Sequence, residues 1–132
     1  MLERINVKVK PQRVCALSLL DDDAYARIER AAAGLAAGLR AAFAAAGVPA
    51  RVPRVGTLVG LHLGDADAFD YDSARTTDTG MYKRFFHAML RRGVAMAPGA
   101  YEVMFTGLAH DDAVIDAIAS RAHEAAAEAA RG

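Results

Sequence analysis

Tyr25, Ile28, Ala32, Leu35, Leu39 and Phe43 recur at spacings of three and four, which places them on one face of a helix. Asp21, Asp22 and Asp23 stand at its start, where a carboxylate caps free N–H groups and complements the positive end of the helix dipole. Gly47 and Pro49 follow as stop signals. A second stripe, Tyr82, Phe85, Phe86, Met89 and Leu90, predicts another amphipathic helix. It ends at Arg91, Arg92 and Gly93, with the basic pair suited to a helix C-terminus. A third helix is predicted after a cap at Asp111 or Asp112, with Val114, Ile115, Ile118 and Ala122 turned inward.

Between these helices the period changes. "ARVPRVGTLVGLHLG", residues 50–64, is rich in Val and Leu with glycines at 56, 60 and 64, and reads as one or two strands turning or bulging at a glycine. Pro53 belongs at an edge or start, because it has no N–H to donate to a ladder. Residues 65–80 are polar and full of turn formers, so a loop with a short irregular piece is expected. "VAMAP" and "YEVMFTGLAH" read as two strands joined at Pro98-Gly99. At the N-terminus, "INVKVK" alternates with period two as a short strand does, and "RVCALSLL" is an apolar segment of about two turns that runs into the first helix. The order of helices and strand pairs predicts an α+β, two-layer domain: a small, mostly antiparallel sheet with helices packed on one face.

A chain of 132 residues fits one domain that removes about two thirds of its unfolded surface on folding. Sixteen basic and sixteen acidic side chains cancel, which gives no electrostatic reason to expect nucleic acid or an anionic membrane as partner. No segment approaches the roughly 18 uninterrupted apolar residues of a membrane span. The first ten residues lack the apolar run of a secretory signal. Cys15 is the single cysteine and reads as a small core residue. A reducing, cytoplasmic location is the expectation.

The candidates for chemistry are few. The alanine runs at 31–46 and 125–130 read as good helix former, and "GLAAG", residues 34–38, as a site of close helix packing. "GTLVG" and "GLAAG" lack the spacing of a phosphate-binding loop. Ser18, Ser73 and Ser120 have no nucleophile-elbow context. Asp21 to Asp23 read as a cap and solvated face before a cation site, and no Cys/His spacing suggests a metal. His62, His87 and His123 read as structural residues, and His110 as a cap or loop-orienting group. Glu102 remains, a carboxylate inside a strand-like apolar run. Alternation puts Tyr101, Val103 and Phe105 on one face and Glu102 with Met104 on the other. With Tyr101 inward, Glu102 points out of the sheet, to solvent or to a partner surface.

Several motifs in order resemble a known family. "YKRFFHAMLRRGVAMAPGAYEVMFTGLAHDDAVIDAI", residues 82–118, is similar to the C-terminal domain of the glutamate-1-semialdehyde 2,1-aminomutases and their relatives among class III pyridoxal-phosphate aminotransferases. The resemblance is carried by Phe85-Phe86, Gly93-Val94, Ala97-Pro98, Tyr101-Glu102, Ala109-His110 and Asp111-Asp112. Upstream, "RVPRVGTLVGLHL" and the 21–50 helix region are similar to the family's preceding strand and helix. Gly99 stands where the family's "APS" turn has serine, and "GTLVGLHL" where it has "GSMFTLFF". The likeness covers roughly residues 14–130.

The resemblance implies residues 1–13 as an extension unlike the family and 14–132 as the small C-terminal domain of a fold-type I aminotransferase. It implies amino-group transfer on pyridoxal phosphate in tetrapyrrole synthesis, with Glu102 facing the cofactor cleft in a supporting, electrostatic role. In the family the Schiff-base lysine, the aspartate on the pyridine nitrogen and the phosphate loops come from a large domain. The resemblance therefore implies that this chain alone binds no cofactor and is inactive, its partner being that large domain or a second copy. The other reading is a non-enzymatic module for self-association or docking. An independent enzyme that uses Glu102 with a histidine finds no second group placed beside Glu102 by the sequence.

Overall fold

The computed structural model describes residues 18–132. The expected strand at "INVKVK", Cys15 and most of "RVCALSLL" lie outside the described residues. Helix α1 spans Asp22–Ala45, with Asp21 Oδ1 accepting from the Ala24 N–H at 2.8 Å. Gly47 ends it at φ +67°, a left-handed conformation that glycine adopts without a side-chain clash. The chain then forms four two-residue strands: β1 (Ala50–Arg51), β2 (Arg54–Val55), β3 (Leu58–Val59) and β4 (His62–Leu63). A one-turn helix, α2 (Tyr71–Ala74), precedes helix α3 (Thr79–Arg91). Strand β5 (Met104–Phe105) and helix α4 (Asp112–Ala130) complete the order. Asp70 and Ser73 form a reciprocal capping box on α2, and Asp78 and Asp111 cap α3 and α4.

All strand pairs are antiparallel. β1 pairs with β4, and β2, β3 and β5 form a three-stranded sheet in that order. Val55 lies opposite Leu58 and Leu58 opposite Phe105, whereas Val59 lies opposite Met104. Val59 is buried and Met104 packs on the core. Val55, Leu58 and Phe105 form an exposed row on the other face of the sheet. The α+β two-layer reading therefore holds, with short ladders rather than long strands.

Helices α1 and α4 pack along each other, and α3 packs on α4. Their contact is made largely by alanine: Ala32, Ala36, Ala42, Ala122, Ala125, Ala126 and Ala129 are all buried in one cluster with Leu39, Phe43, Phe85 and Met89. The alanine runs are thus an interface as well as helix former, because a small side chain lets two backbones approach closely. The "GLAAG" reading holds as well. A Cβ built on Gly38 would lie 2.7 Å from the Ala119 Cβ, and one on Gly34 would lie 2.9 Å from the Ile115 Cγ2.

Side-chain bonds tie the layers. The Leu63 N–H donates to the buried Thr77 Oγ1 at 2.9 Å and the Asp78 N–H to the Leu63 carbonyl at 2.8 Å, which fixes the start of α3 on β4. Arg40 on α1 donates to the Val52 carbonyl at 2.7 Å, and Thr106 donates to the Ile28 carbonyl at 3.0 Å. On the surface Arg92 pairs with Glu124 and Glu128, and Arg91 with Glu128, joining α3 to α4. Arg92 first, then Arg91, holds the Glu128 carboxyl below its usual range.

Three sequence expectations change. Tyr25 and Val114 are exposed and Leu90 half-exposed, so the buried faces of α1, α3 and α4 are narrower than their stripes. "VAMAP" is not a strand: the Ala97 carbonyl accepts from the Tyr82 hydroxyl at 2.6 Å instead of from a neighbouring strand, and Pro98 supplies no N–H. In "YEVMFTGLAH" only Met104 and Phe105 join a ladder, because the chain turns later than expected, with the Glu102 N–H donating to the Gly99 carbonyl at 3.2 Å.

Candidate functional site

Glu102 is exposed in the turn before β5. Its carboxylate folds back over Gly99, so that a Cβ built on Gly99 would lie 2.5 Å from Oε1 and 3.1 Å from Cδ. Tyr82, on α3 and only 4% exposed, lies within reach of that charge. Burial first, and then the Glu102 carboxylate, pushes the Tyr82 phenol above its ordinary value of 10.0. The Tyr82 hydroxyl donates to the Ala97 carbonyl at 2.6 Å.

The expected facing of Tyr101 is overturned. Tyr101 is 54% exposed, Val103 is 46% exposed and Phe105 is 66% exposed, while Met104 turns toward the core. Helices cover the Val59–Met104 side of the sheet, and the apolar residues on the opposite parity are left facing out. Glu102 is exposed as Tyr101 and Val103 are, in a segment, 100–103, that forms no strand, so strand alternation does not apply to it.

A hollow of about 120 Å³ beside it is lined by Glu102, Tyr101, Ala100, Gly60, Ala68 and His62, among others. His62 is the group that sequence spacing did not bring to Glu102. It lies on β4, forty positions upstream in the chain, and only the folding of the 50–64 segment against the 99–103 turn joins the two. His62 is buried at 6% exposure, and its Nε2 has no hydrogen-bond partner among the described residues. Nε2 lies next to Gly64, where an added Cβ would come within 3.3 Å of it.

The other histidines behave as structural residues. His110 Nδ1 accepts from the Gly107 N–H at 3.0 Å and orients the loop before α4. His87 packs edge-on against Phe86, and His123 is exposed on α4. Asp21 caps α1 as expected. No cluster of three metal-ligating side chains occurs among the described residues, and none of their helices is long and apolar enough to cross a membrane.

A pyridoxal-phosphate site needs a lysine amine at the cofactor aldehyde and a cradle for the phosphate. Lys83 is the one lysine among the described residues. It lines a separate groove with Arg84, His87, Arg91 and Glu128, not the Glu102 hollow. No lysine among the described residues lines the Glu102 hollow.

No family model matches the chain. Among solved structures, an omega-transaminase from Sphaerobacter thermophilus superposes with a TM-score of 0.78 at 23% identity, covering 89% of this chain and 26% of that one. A transaminase with PLP bound gives 0.72 at 21% identity over the same shares. The fold is that of the small domain of a fold-type I aminotransferase.

Sequence similarity narrows the class. The chain is 40% identical over 119 residues to the glutamate-1-semialdehyde 2,1-aminomutase of Propionibacterium freudenreichii subsp. freudenreichii, covering 90% of this chain and 27% of that protein. It is 41% identical over 101 residues to the aminomutase of Roseiflexus castenholzii, covering 76% and 23%. The chain belongs to the class III pyridoxal-phosphate-dependent aminotransferase family and matches the C-terminal domain of glutamate-1-semialdehyde 2,1-aminomutase. It spans about a quarter of the length of the relatives it matches.

Proposed function

We propose that these residues form the small domain of a pyridoxal-phosphate-dependent enzyme that moves an amino group: glutamate-1-semialdehyde 2,1-aminomutase, acting in tetrapyrrole synthesis in the cytoplasm, or a close aminotransferase relative. The observation that carries this reading is the 40% identity over 119 of the 132 residues to a protein of that name. Glu102 is presented on the open side of the sheet, where it acts on the substrate electrostatically rather than by forming a covalent bond. The lysine, the phosphate cradle and the rest of the cleft come from a large domain outside these 132 residues, and the working enzyme is a homo-oligomer.

Alone, the 132-residue chain binds no cofactor and does not turn over. Titration of the chain with pyridoxal phosphate is expected to give no saturable visible absorbance. Stoichiometric binding followed by amino transfer contradicts that expectation.

A second reading, a module for self-association or docking, is favoured by one feature, the exposed Val55, Leu58 and Phe105 row. Contiguous apolar surface of this kind marks an interaction face. Under this reading light scattering finds a multimer, and a strictly monomeric, well-folded chain counts against it.

A further inference from the structure

Two surfaces of opposite charge stand apart in the fold. Residues 65–72, "DADAFDYD", carry four aspartates and no basic residue. Side-chain bonds hold this segment in one shape. Arg51 Nε donates to Asp67 Oδ1 at 3.1 Å and Arg51 Nη2 to the Asp65 carbonyl at 2.7 Å, while Ser73 Oγ accepts from the Phe69 and Asp70 N–H groups at 3.0 Å. What that framework presents is aromatic. Phe69 is 89% exposed and Tyr71 is 72% exposed, the two most exposed aromatic side chains among the described residues. Aromatic side chains are enriched among the anchors of protein interfaces, and a loop that is already fixed loses little freedom when one docks.

The opposite charge lines a groove of about 480 Å³ between α3 and the end of α4, where Lys83, Arg84, Arg91 and Arg131 stand with one carboxylate side chain, Glu128. Arg84 Nε donates to the Ala129 carbonyl at 2.9 Å, which fixes one wall. Glu128 pairs with Arg91 and, at 2.8 Å, with Arg92, so the acid of the groove is already neutralised. Cationic side chains take an aromatic face as well as a carboxylate. No residue lines both this groove and the hollow beneath the loop, and Arg51 ties the loop to β1. One copy therefore does not fill its own groove.

We infer that the loop 65–72 of one copy docks in the α3–α4 groove of another, with its aspartates on the cations and Phe69 against a guanidinium. The two patches differ, so the contact is head to tail and adds copies as concentration rises, where a twofold contact stops at a pair. Zero net charge leaves no overall repulsion to oppose it. This contact is separate from the Val55, Leu58 and Phe105 row, and it does not rest on the reading of the chain as part of an aminotransferase.

Sedimentation velocity on the 132-residue chain over a range of concentrations reads the contact. At about 0.01 M salt the chain is expected to associate, and at about 1 M, where exposed charges are screened within about 3 Å, the apparent Kd is expected to rise about tenfold. Phe69→Ala leaves the charge unchanged and is expected to weaken association by a similar factor. Lys83→Glu with Arg131→Glu is expected to abolish it. Adding Asp65→Lys and Asp72→Lys to that variant reverses both patches at the net charge of the unchanged chain, and is expected to restore association. All five substituted side chains are exposed, and circular dichroism checks that each variant folds.

The inference is overturned by a chain that stays monomeric at low salt, or by a loss that reversing both patches does not restore. It is equally overturned by an association that persists at high salt and in Phe69→Ala, which is the behaviour of the apolar row. Where a variant fails to fold, the salt dependence of the unchanged chain decides. None of these outcomes bears on amino transfer.

Discussion

Phe43→Ala is expected to destabilise the chain by about 3–5 kcal/mol, the usual loss when a buried phenylalanine is truncated and its cavity only partly closes. Phe43 and Phe85 are both fully buried, with ring centroids 4.7 Å apart and planes tilted by 56°. That geometry adds about 0.5–1.5 kcal/mol beyond the area the rings bury. The pair also joins α1 to α3, two helices that otherwise meet largely through α4. A domain of this kind has about 5–15 kcal/mol in total, so one truncation removes a large fraction. Urea unfolding followed by circular dichroism reads the change as a lower midpoint at constant slope. A loss below about 1 kcal/mol contradicts the packing described.

Gly38→Val is expected to cost about 1–3 kcal/mol or more, the range for overpacking. The sign is the informative part. On an exposed helix, replacing glycine with a residue of better helix propensity stabilises by up to about 1 kcal/mol. At Gly38 the added Cβ meets the Ala119 Cβ at 2.7 Å and its Cα at 3.4 Å. Backbone of α4 stands behind that contact, so the helices must separate. Gly34→Ala is the contrasting case, because the added Cβ meets only side-chain atoms, the Ile115 Cγ2 at 2.9 Å and Cβ at 4.0 Å, with no backbone of α4 behind the contact within 4 Å. Its propensity gain and steric cost are expected nearly to cancel. Equal effects at 34 and 38 in the same unfolding assay contradict the close approach of α1 and α4 at Gly38.

The three long helices are legible because each carries its own local signals: an aspartate cap, an apolar stripe and, for the first two, a glycine stop. Tyr25, Leu90 and Val114 mislead because a stripe marks which side of a helix is apolar, not how far its neighbours extend along it. The strands are less legible. Their ladders are two residues long and are held by contacts distant in sequence, such as the Thr77 hydroxyl on β4.

At the site, Glu102 stands out in the sequence through its apolar setting and the family motif around it. Its surroundings do not. His62 and Tyr82 come from other elements, and the Gly99 contact is a fact of side-chain conformation. Strand alternation assigns Tyr101 inward, whereas the segment that carries it is a turn.

The most direct measurement tests the chain within a whole enzyme of the kind it resembles. Under the proposed function, the aminomutase of Propionibacterium freudenreichii with its matching quarter replaced by residues 14–132 of this chain is expected to bring Glu102 to the pyridoxal-phosphate site. This chimera is expected to bind pyridoxal phosphate and turn over, and Glu102→Gln to lower its kcat by about 10²-fold, as loss of one electrostatic group in a closed site does. A chimera that turns over equally well with glutamate or glutamine at position 102 contradicts the role proposed for this carboxylate.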